Sequence, residues 1–95
     1  NVGTGVSTSI ESLAESVIDV TGLDMDIVYE DVKQGGKSEK VERDRLPQEL
    51  QSMVLDPSKA QRDLDWDYQV PLSNGLASQY EWLQSNAERW QAPSY

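Results

Sequence analysis

Residues 8–30 read TSIESLAESVIDVTGLDMDIVYE, and this stretch decides the fold that the sequence predicts. Its first half carries apolar side chains at helical intervals, which predicts a helix of about three turns. Thr8 to Glu11 fits a capping box, in which the Thr8 hydroxyl accepts a backbone N–H and Glu11 reaches back to the cap. Gly22 is expected to end the helix in the left-handed conformation. The apolar stripe consists of Ile10, Leu13, Ala14, Val17 and Ile18.

The second half of this stretch alternates apolar and mostly acidic residues with a period of two, which predicts a half-buried strand. Its expected inward set is Leu23, Met25, Ile27 and Tyr29. Residues 1–2, NV, are expected to be the tail of an earlier strand. Strand, helix and strand in this order predict an α/β (α+β) fold: a small β-α-β unit whose short parallel sheet is packed by two or three helices.

Two more helices are expected further along the chain. Asp56 can cap a helix that has Pro57 in its first turn and ends near Leu64, because the missing N–H of proline costs nothing there. Ala60 and Leu64 would face inward, and Trp66 would pack beside them.

The last predicted helix covers residues 72–90 and closes over the core, since its apolar residues repeat at helical intervals. Gly75 inside it suggests close packing. Residues 31–52 are polar and predict a loop, with a short turn at residues 46–50 and a brief extended segment at 53–56. The expected organisation is a single small domain, residues 1–90, with a disordered tail at 91–95.

Composition limits the possible functions. Ninety-five residues form one domain at most, and the chain contains neither cysteine nor histidine. It therefore has no disulfide framework, no thiolate metal site and none of the commonest general bases. No apolar run approaches the roughly 20 residues that span a membrane, and no signal peptide is visible. We expect a cytoplasmic protein, and because the sequence begins with Asn1 we expect a piece of a longer one.

The charge is strongly negative but unevenly placed. Seventeen acidic and 8 basic residues give a net charge of −9, which should repel nucleic acid and anionic membranes. Two explanations stay open for the acidic surface: ordinary solubility, or adaptation to high salt. Five of the basic residues are clustered in one segment, namely Lys33, Lys37, Lys40, Arg43 and Arg45.

The glycine pair before the first helix raises the question of a dinucleotide-binding loop. Gly3 and Gly5 have the spacing of its first two glycines, but Thr8 stands where the third is needed for close helix–strand packing. We therefore predict a tight strand-to-helix turn here and no cofactor-binding residue.

Four stretches carry a family resemblance when taken in order: NVGTG with TSIESLAESV, then IVYE, LDPSKAQRDLDW and PLSNGLASQYEW. Together they resemble the carboxy-terminal part of NAD-dependent nucleotide-sugar epimerases and dehydratases, the extended short-chain dehydrogenase/reductases. The nearest type that we would name is UDP-glucose 4-epimerase. The strongest segments are residues 56–66 and 72–82, and Asp65 stands where the family often has a glycine.

The resemblance implies a division of labour in a longer enzyme. The family's amino-terminal domain carries the NAD loop and a catalytic Tyr-x-x-x-Lys pair, so NAD is expected in the parent and no cofactor, metal or catalytic residue in this chain. Tyr29 and Lys33 match that motif, but a strand end and a loop would not bring them together as one helical turn does. The expected partners are the chain's own amino-terminal NAD-binding domain and a nucleotide-sugar substrate, within a parent for which a homodimer is one expected state.

The resemblance also implies the site residues. A family loop with the pattern Arg-Pro-Gly-Asp contacts the diphosphate and ribose, and it aligns with residues 33–36. Gly35 is identical, and Lys33 keeps the positive charge without the bidentate fork of arginine. The expected substrate-binding residues are Lys33, Gly35, Arg43 and Arg45, with Lys37 and Lys40 as further cations. The alternative is that these are solvated loop charges that balance an acidic surface.

Two other functions compete with an enzyme fragment. One is a non-catalytic sugar-nucleotide-binding or protein-interaction module that kept the fold. The other is a stand-alone acidic adaptor, which only the net charge favours. The sugar, the nucleotide base and the choice among epimerisation, dehydration and decarboxylation stay open at this stage.

Overall fold

The computed structural model describes residues 1–90, and its regular structure is helical. Helix α1 spans Ile10–Thr21, α2 spans Ser58–Leu64 and α3 spans Leu72–Ser85, followed by a short 3-10 turn at Ala87–Arg89. Helices α1 and α3 pack against each other. The tail expected at residues 91–95 lies outside the described residues.

Helix α1 confirms the predicted amphipathic helix, with one correction at its start. Ser9, not Thr8, is the N-cap, and its Oγ accepts the backbone N–H of Ser12 at 3.0 Å. Gly22 ends the helix as predicted, with a φ of 66° and its N–H donated to the carbonyl of Ile18. This helix is therefore specified by its own residues.

The expected capping box is wrong because Ser9 is the N-cap, which places Ser12 and not Glu11 at the third helical position. The Glu11 carboxylate has another partner. It accepts a hydrogen bond from the Tyr29 phenol, 18 positions along the chain. This contact ties the segment that follows α1 back onto the first turn of the helix.

The predicted β-α-β unit with a parallel sheet is wrong. Residues 1–90 contain no strand, and their only β pairing is an isolated antiparallel bridge between Lys37 and Asp44. Residues 1–2 do not supply the expected neighbouring strand, and Met25, expected to face inward, is 60% exposed. An alternating pattern defines two faces of a strand, but a ladder also needs a partner backbone.

Side chains take over part of the role that a partner strand would have had. The carbonyl oxygen of Tyr29 accepts a hydrogen bond from the Lys40 ammonium. The carbonyl oxygen of Val32 accepts one from Nη1 of Arg45 at 2.6 Å. Residues 29–32 are thus held by the loop that follows them.

Helix α2 begins and ends close to the predicted positions, but its N-cap is Pro57, which was expected in the first turn, and Asp56 precedes the cap. Asp56 Oδ1 accepts the backbone N–H of Ser58 at 3.0 Å, and Ala60 is buried as expected. Leu64, however, is 76% exposed, so its predicted inward position is wrong. Asp65 ends the helix with a φ of 50°, a left-handed conformation that glycine adopts most easily. This conformation accounts for the glycine expected at this position from the resemblance.

Helix α3 is shorter than predicted because Asn86 ends it. The Asn86 side chain and backbone N–H both donate to the carbonyl of Trp82, at 2.8 and 3.0 Å. Gly75 does not mark an unusually close approach, since a Cβ there would lie 3.7 Å from Val70, an ordinary contact.

The interior of the described part is small. Within residues 1–90, the buried non-polar residues are Ala60 and Pro57. No large apolar side chain in this part of the chain is fully buried. Many large apolar side chains are more than half exposed, with Ile10 at 80% and Met53 at 73%. Large exposed apolar patches mark surfaces that contact other protein, so these side chains indicate faces for packing.

Candidate functional site

The basic segment begins with a tight turn at residues 33–36. The N–H of Gly36 donates to the carbonyl of Lys33 at 2.7 Å, and Gly35 has a φ of 76°. A positive φ at the third residue of a turn favours glycine, which explains Gly35 by conformation. Gly36 is constrained as well, because a Cβ there would lie 2.9 Å from the Lys33 carbonyl oxygen. The turn fixes the direction in which the chain leaves Lys33.

A short hairpin, residues 36–45, follows this turn, and we call it the basic hairpin. Arg45 N–H donates to the Gly36 carbonyl at 2.7 Å, and Ser38 N–H donates to the Arg43 carbonyl at 2.8 Å. Glu42 near its tip has a φ of 51°. The turn and the hairpin together therefore fix the backbone of the five cationic residues. Lys33 lies in the turn, and the hairpin carries Lys37, Lys40, Arg43 and Arg45.

Three lysines of this segment share an open cavity of about 480 Å³, which we call the lysine cavity. Lys40 donates its ammonium to the Tyr29 carbonyl. Within residues 1–90, no ion pair engages the ammonium groups of Lys33 and Lys37. The full lining is Glu30, Asp31, Val32, Lys33, Gly36, Lys37, Glu39 and Lys40. The lining carries three ammonium groups and three carboxylates, so its formal charge is zero. Binding of an anion would therefore depend on where the three lysines stand in the cavity.

The two arginines are placed differently from Lys33. Arg43 Nη2 lies 3.0 Å from Glu49 Oε1, and Arg45 donates to the carbonyls of Val32 and Glu49 at 2.6 and 3.4 Å. Both line a second, larger cavity of about 880 Å³, which shares Glu30, Val32 and Lys40 with the lysine cavity. The structure thus separates the predicted site residues: Lys33 lines the lysine cavity, Arg43 and Arg45 line the neighbouring one, and Gly35 forms the turn.

Glu30 connects the two cavities and organises the hairpin, a role that the sequence reasoning missed. Its carboxylate accepts the hydroxyl of Ser38 and, at 2.7 Å, the backbone N–H of Glu39. These bonds, with a contribution from the nearby Lys40 ammonium, hold the pKa of Glu30 below its usual value. Ser38 is the buried polar residue of this region, at 6% exposed. A carboxylate at the end of an alternating segment was the only sequence feature that could have indicated it.

The Tyr-x-x-x-Lys match at Tyr29 and Lys33 has no catalytic geometry. The Tyr29 phenol donates to Glu11, and this bond, with partial burial and the charges of Glu11 and Glu15, raises the pKa of Tyr29. A tyrosine that acts as a base needs a lowered pKa, which is the opposite direction. Lys33 lies in the turn described above. That this match is a coincidence stays a prediction, and the strand end on which it was based is absent from residues 1–90.

The glycine pair at the amino terminus packs against the segment before α2. A Cβ at Gly3 would lie 3.3 Å from Leu55 Cβ, and one at Gly5 would lie 3.2 Å from Pro57 Cδ. Gly5 also has a φ of 73°. Close approach and backbone conformation together explain both glycines without a bound phosphate.

Over residues 1–90, no group of three or more acidic side chains is arranged to hold a metal ion. The helices there are all too short or too polar to cross a membrane.

Comparison with known proteins finds relatives but no family model and no solved structure that match. GDP-L-fucose synthase of Escherichia coli (strain K12) is 31% identical over 90 residues, which are 95% of this chain and 24% of that protein. Probable GDP-L-fucose synthase 1 of Oryza sativa subsp. japonica and putative GDP-L-fucose synthase 2 of Arabidopsis thaliana are each 33% identical over 86 residues. Those matches cover 90% of this chain and 22% of each relative.

This chain therefore spans about a quarter of the length of the relatives it matches. The expected resemblance to enzymes of nucleotide sugars is confirmed in its coarser form, because all three relatives are named as synthases of one. UDP-glucose 4-epimerase is not among these three names, so that finer expectation stays a prediction.

Proposed function

We propose that this chain is the substrate-side part of an NAD-dependent nucleotide-sugar epimerase or reductase of the extended short-chain dehydrogenase/reductase family. The observation that carries the proposal is the similarity to three GDP-L-fucose synthases, which runs along 90–95% of this chain. We further propose a GDP-linked sugar as substrate, because that is the product class in the relatives' names. Its conversion would be cytoplasmic.

The exposed apolar side chains support the division of labour in this proposal. A domain with its own complete core would bury more than Ala60 and Pro57 among its non-polar residues. We propose that the NAD-binding domain of the same polypeptide covers part of this surface and supplies the cofactor, the catalytic tyrosine and its lysine. This chain would then contribute binding and positioning to the reaction, in a homodimeric parent.

The lysine cavity is the proposed contact for the diphosphate of the sugar donor. A diphosphate needs cationic partners when water is excluded, and an ammonium supplies them as a compact point charge. Lys33 and Lys37 have no ion pair within residues 1–90, which leaves their charge available to a ligand. Arg43 and Arg45 support the hairpin through Glu49 and Val32 and would act on the ligand only indirectly.

Lys33→Ala in the intact enzyme tests this role. Loss of one charge-assisted contact to the diphosphate should raise KM for the sugar nucleotide about tenfold or more, with kcat and NAD binding little changed. Lys59→Ala removes the same charge from the exposed surface of α2 and is the matched control. Steady-state kinetics and a thermal melt of each variant separate binding from folding.

The result that would refute the assignment is specific. If Lys33→Ala behaves as the parent while Arg43→Ala or Arg45→Ala abolishes binding at unchanged stability, the phosphate contact lies in the second cavity. An equal rise in KM for Lys59→Ala would point to a general charge effect.

The alternative proposal is a non-catalytic module that kept this fold. It predicts no NAD-dependent turnover of any GDP-sugar by the intact protein, and a polypeptide whose remaining part lacks the glycine-rich loop and the Tyr-x-x-x-Lys pair. Sequencing the complete gene and assaying its product with NAD and a GDP-linked sugar decide between the two.

A further inference from the structure

We propose that Glu30 is a positioning residue, whose carboxylate holds the basic hairpin so that Lys37 and Lys40 face Lys33 across the lysine cavity. The inference rests on the proposed function of that cavity and adds the device that builds it. Its basis is the geometry around Glu30, which lines both cavities together with Val32 and Lys40.

The carboxylate makes two bonds to successive residues of the hairpin. One oxygen accepts the Ser38 hydroxyl, and the other accepts the Glu39 N–H at 2.7 Å. The Ser38 hydroxyl oxygen in turn accepts the N–H of Val41 at 3.2 Å, so the tip of the hairpin is tied to the same point. Bonds to a charged carboxylate are the strong class of hydrogen bond.

Within residues 1–90, few other contacts reach the tip of the hairpin, and Arg43 and Arg45 support its second arm through Glu49 and Val32. Its backbone pairing consists of the bonds from Arg45 to Gly36 and from Ser38 to Arg43, which is far less than a two-stranded ribbon needs for stability. Hydrogen bonds to Glu30 and Tyr29 connect the tip of the hairpin to the segment after α1. The Ser38 hydroxyl and the Glu39 N–H donate to the Glu30 carboxylate, and the Lys40 ammonium donates to the Tyr29 carbonyl. Loss of the carboxylate should therefore let Lys37 and Lys40 move away from Lys33.

The charge of Glu30 and its positioning role predict opposite changes in phosphate affinity when Glu30 is replaced, so the proposal can be tested. Glu30 is an anion beside the proposed anion site, so removing its charge alone should tighten binding of a phosphate ligand. If Glu30 positions the lysines, removing it should weaken binding instead. Glu39 is the matched control, because its carboxylate lines the same cavity while its backbone, not its side chain, bonds to Glu30.

The experiment uses the intact protein that carries this chain and inorganic pyrophosphate as the probe. Hydrogen exchange read by mass spectrometry reports the order of residues 36–45, and calorimetry reports the affinity for pyrophosphate. Glu30→Gln should speed exchange in the hairpin and raise Kd at least about threefold, since apparent affinity falls with the fraction of competent conformers. Glu39→Gln should leave exchange unchanged and bind pyrophosphate equally or more tightly.

Ser38→Ala gives an independent variant, because it removes one partner of Glu30 without changing any charge. It should shift exchange and Kd in the same direction as Glu30→Gln. Parental exchange and equal or tighter pyrophosphate binding in Glu30→Gln would overturn the proposal. If the parent itself does not bind pyrophosphate while Glu30→Gln still loosens the hairpin, the positioning device stands and the phosphate role of the cavity is refuted.

Discussion

Replacement of Gly5 by alanine should destabilise the fold by about 2–5 kcal/mol, as two features of the turn before α1 indicate. Gly5 has a φ of 73°, a conformation that costs an L-residue about 1–2 kcal/mol. The new Cβ would also lie 3.2 Å from Cδ of Pro57, which is buried. Overpacking of this kind typically costs about 1–3 kcal/mol.

Two other glycines separate these contributions. Gly22 has a φ of 66° and no atom within 4 Å of its would-be Cβ, so Gly22→Ala should cost only the conformational part, about 1–2 kcal/mol. Gly75 lies inside α3 with Val70 at an ordinary 3.7 Å, so Gly75→Ala should stabilise the protein by about 0.5–1 kcal/mol. Urea unfolding followed by tryptophan fluorescence measures all three.

The outcome also bears on the function of the glycine pair. A loss for Gly5→Ala no larger than that for Gly22→Ala would refute the contact between the amino-terminal turn and Pro57. A Gly5→Ala variant of parental stability that lost NAD affinity would mean that this turn cradles a phosphate after all. We expect the reverse, unchanged NAD affinity and lower stability.

Two further predictions concern solution conditions. The pKa values of Glu30 and Asp56 are lowered, chiefly by the Ser38 hydroxyl and the Ser58 N–H respectively. Both carboxylates therefore contribute stability that is present above about pH 5, where they are ionised even in the unfolded chain, and that is lost as pH falls through their lowered pKa values. Glu30→Gln should show a smaller loss in acid urea titrations. With a net charge of −9, the acidic side chains repel one another at low salt, and added salt screens this repulsion. The melting temperature should therefore rise by several degrees between low and molar KCl. A flat or falling curve would argue against adaptation to high salt.

The three helices could be predicted from the sequence because residues close together in the chain specify them. The apolar stripe of α1 and the left-handed Gly22 depend on residues a few positions apart. Asp56 before Pro57 likewise predicts where α2 begins. Periodicity, caps and stops act over one or two turns, so a sequence that contains them determines the element.

The fate of residues 23–30 and the arrangement of the basic hairpin were decided by tertiary contacts. The alternation in this segment predicted a strand, but no partner backbone lies beside it within residues 1–90, and Lys40 and Arg45 bond its end and the residues just after it instead. The sequence located the cluster of cations, whereas only the tertiary structure shows that Lys33 and Lys37 line one cavity and that Arg43 and Arg45 line another. Lys40 lines both cavities. Pairing across many positions depends on which segments meet in space, and no local pattern encodes that.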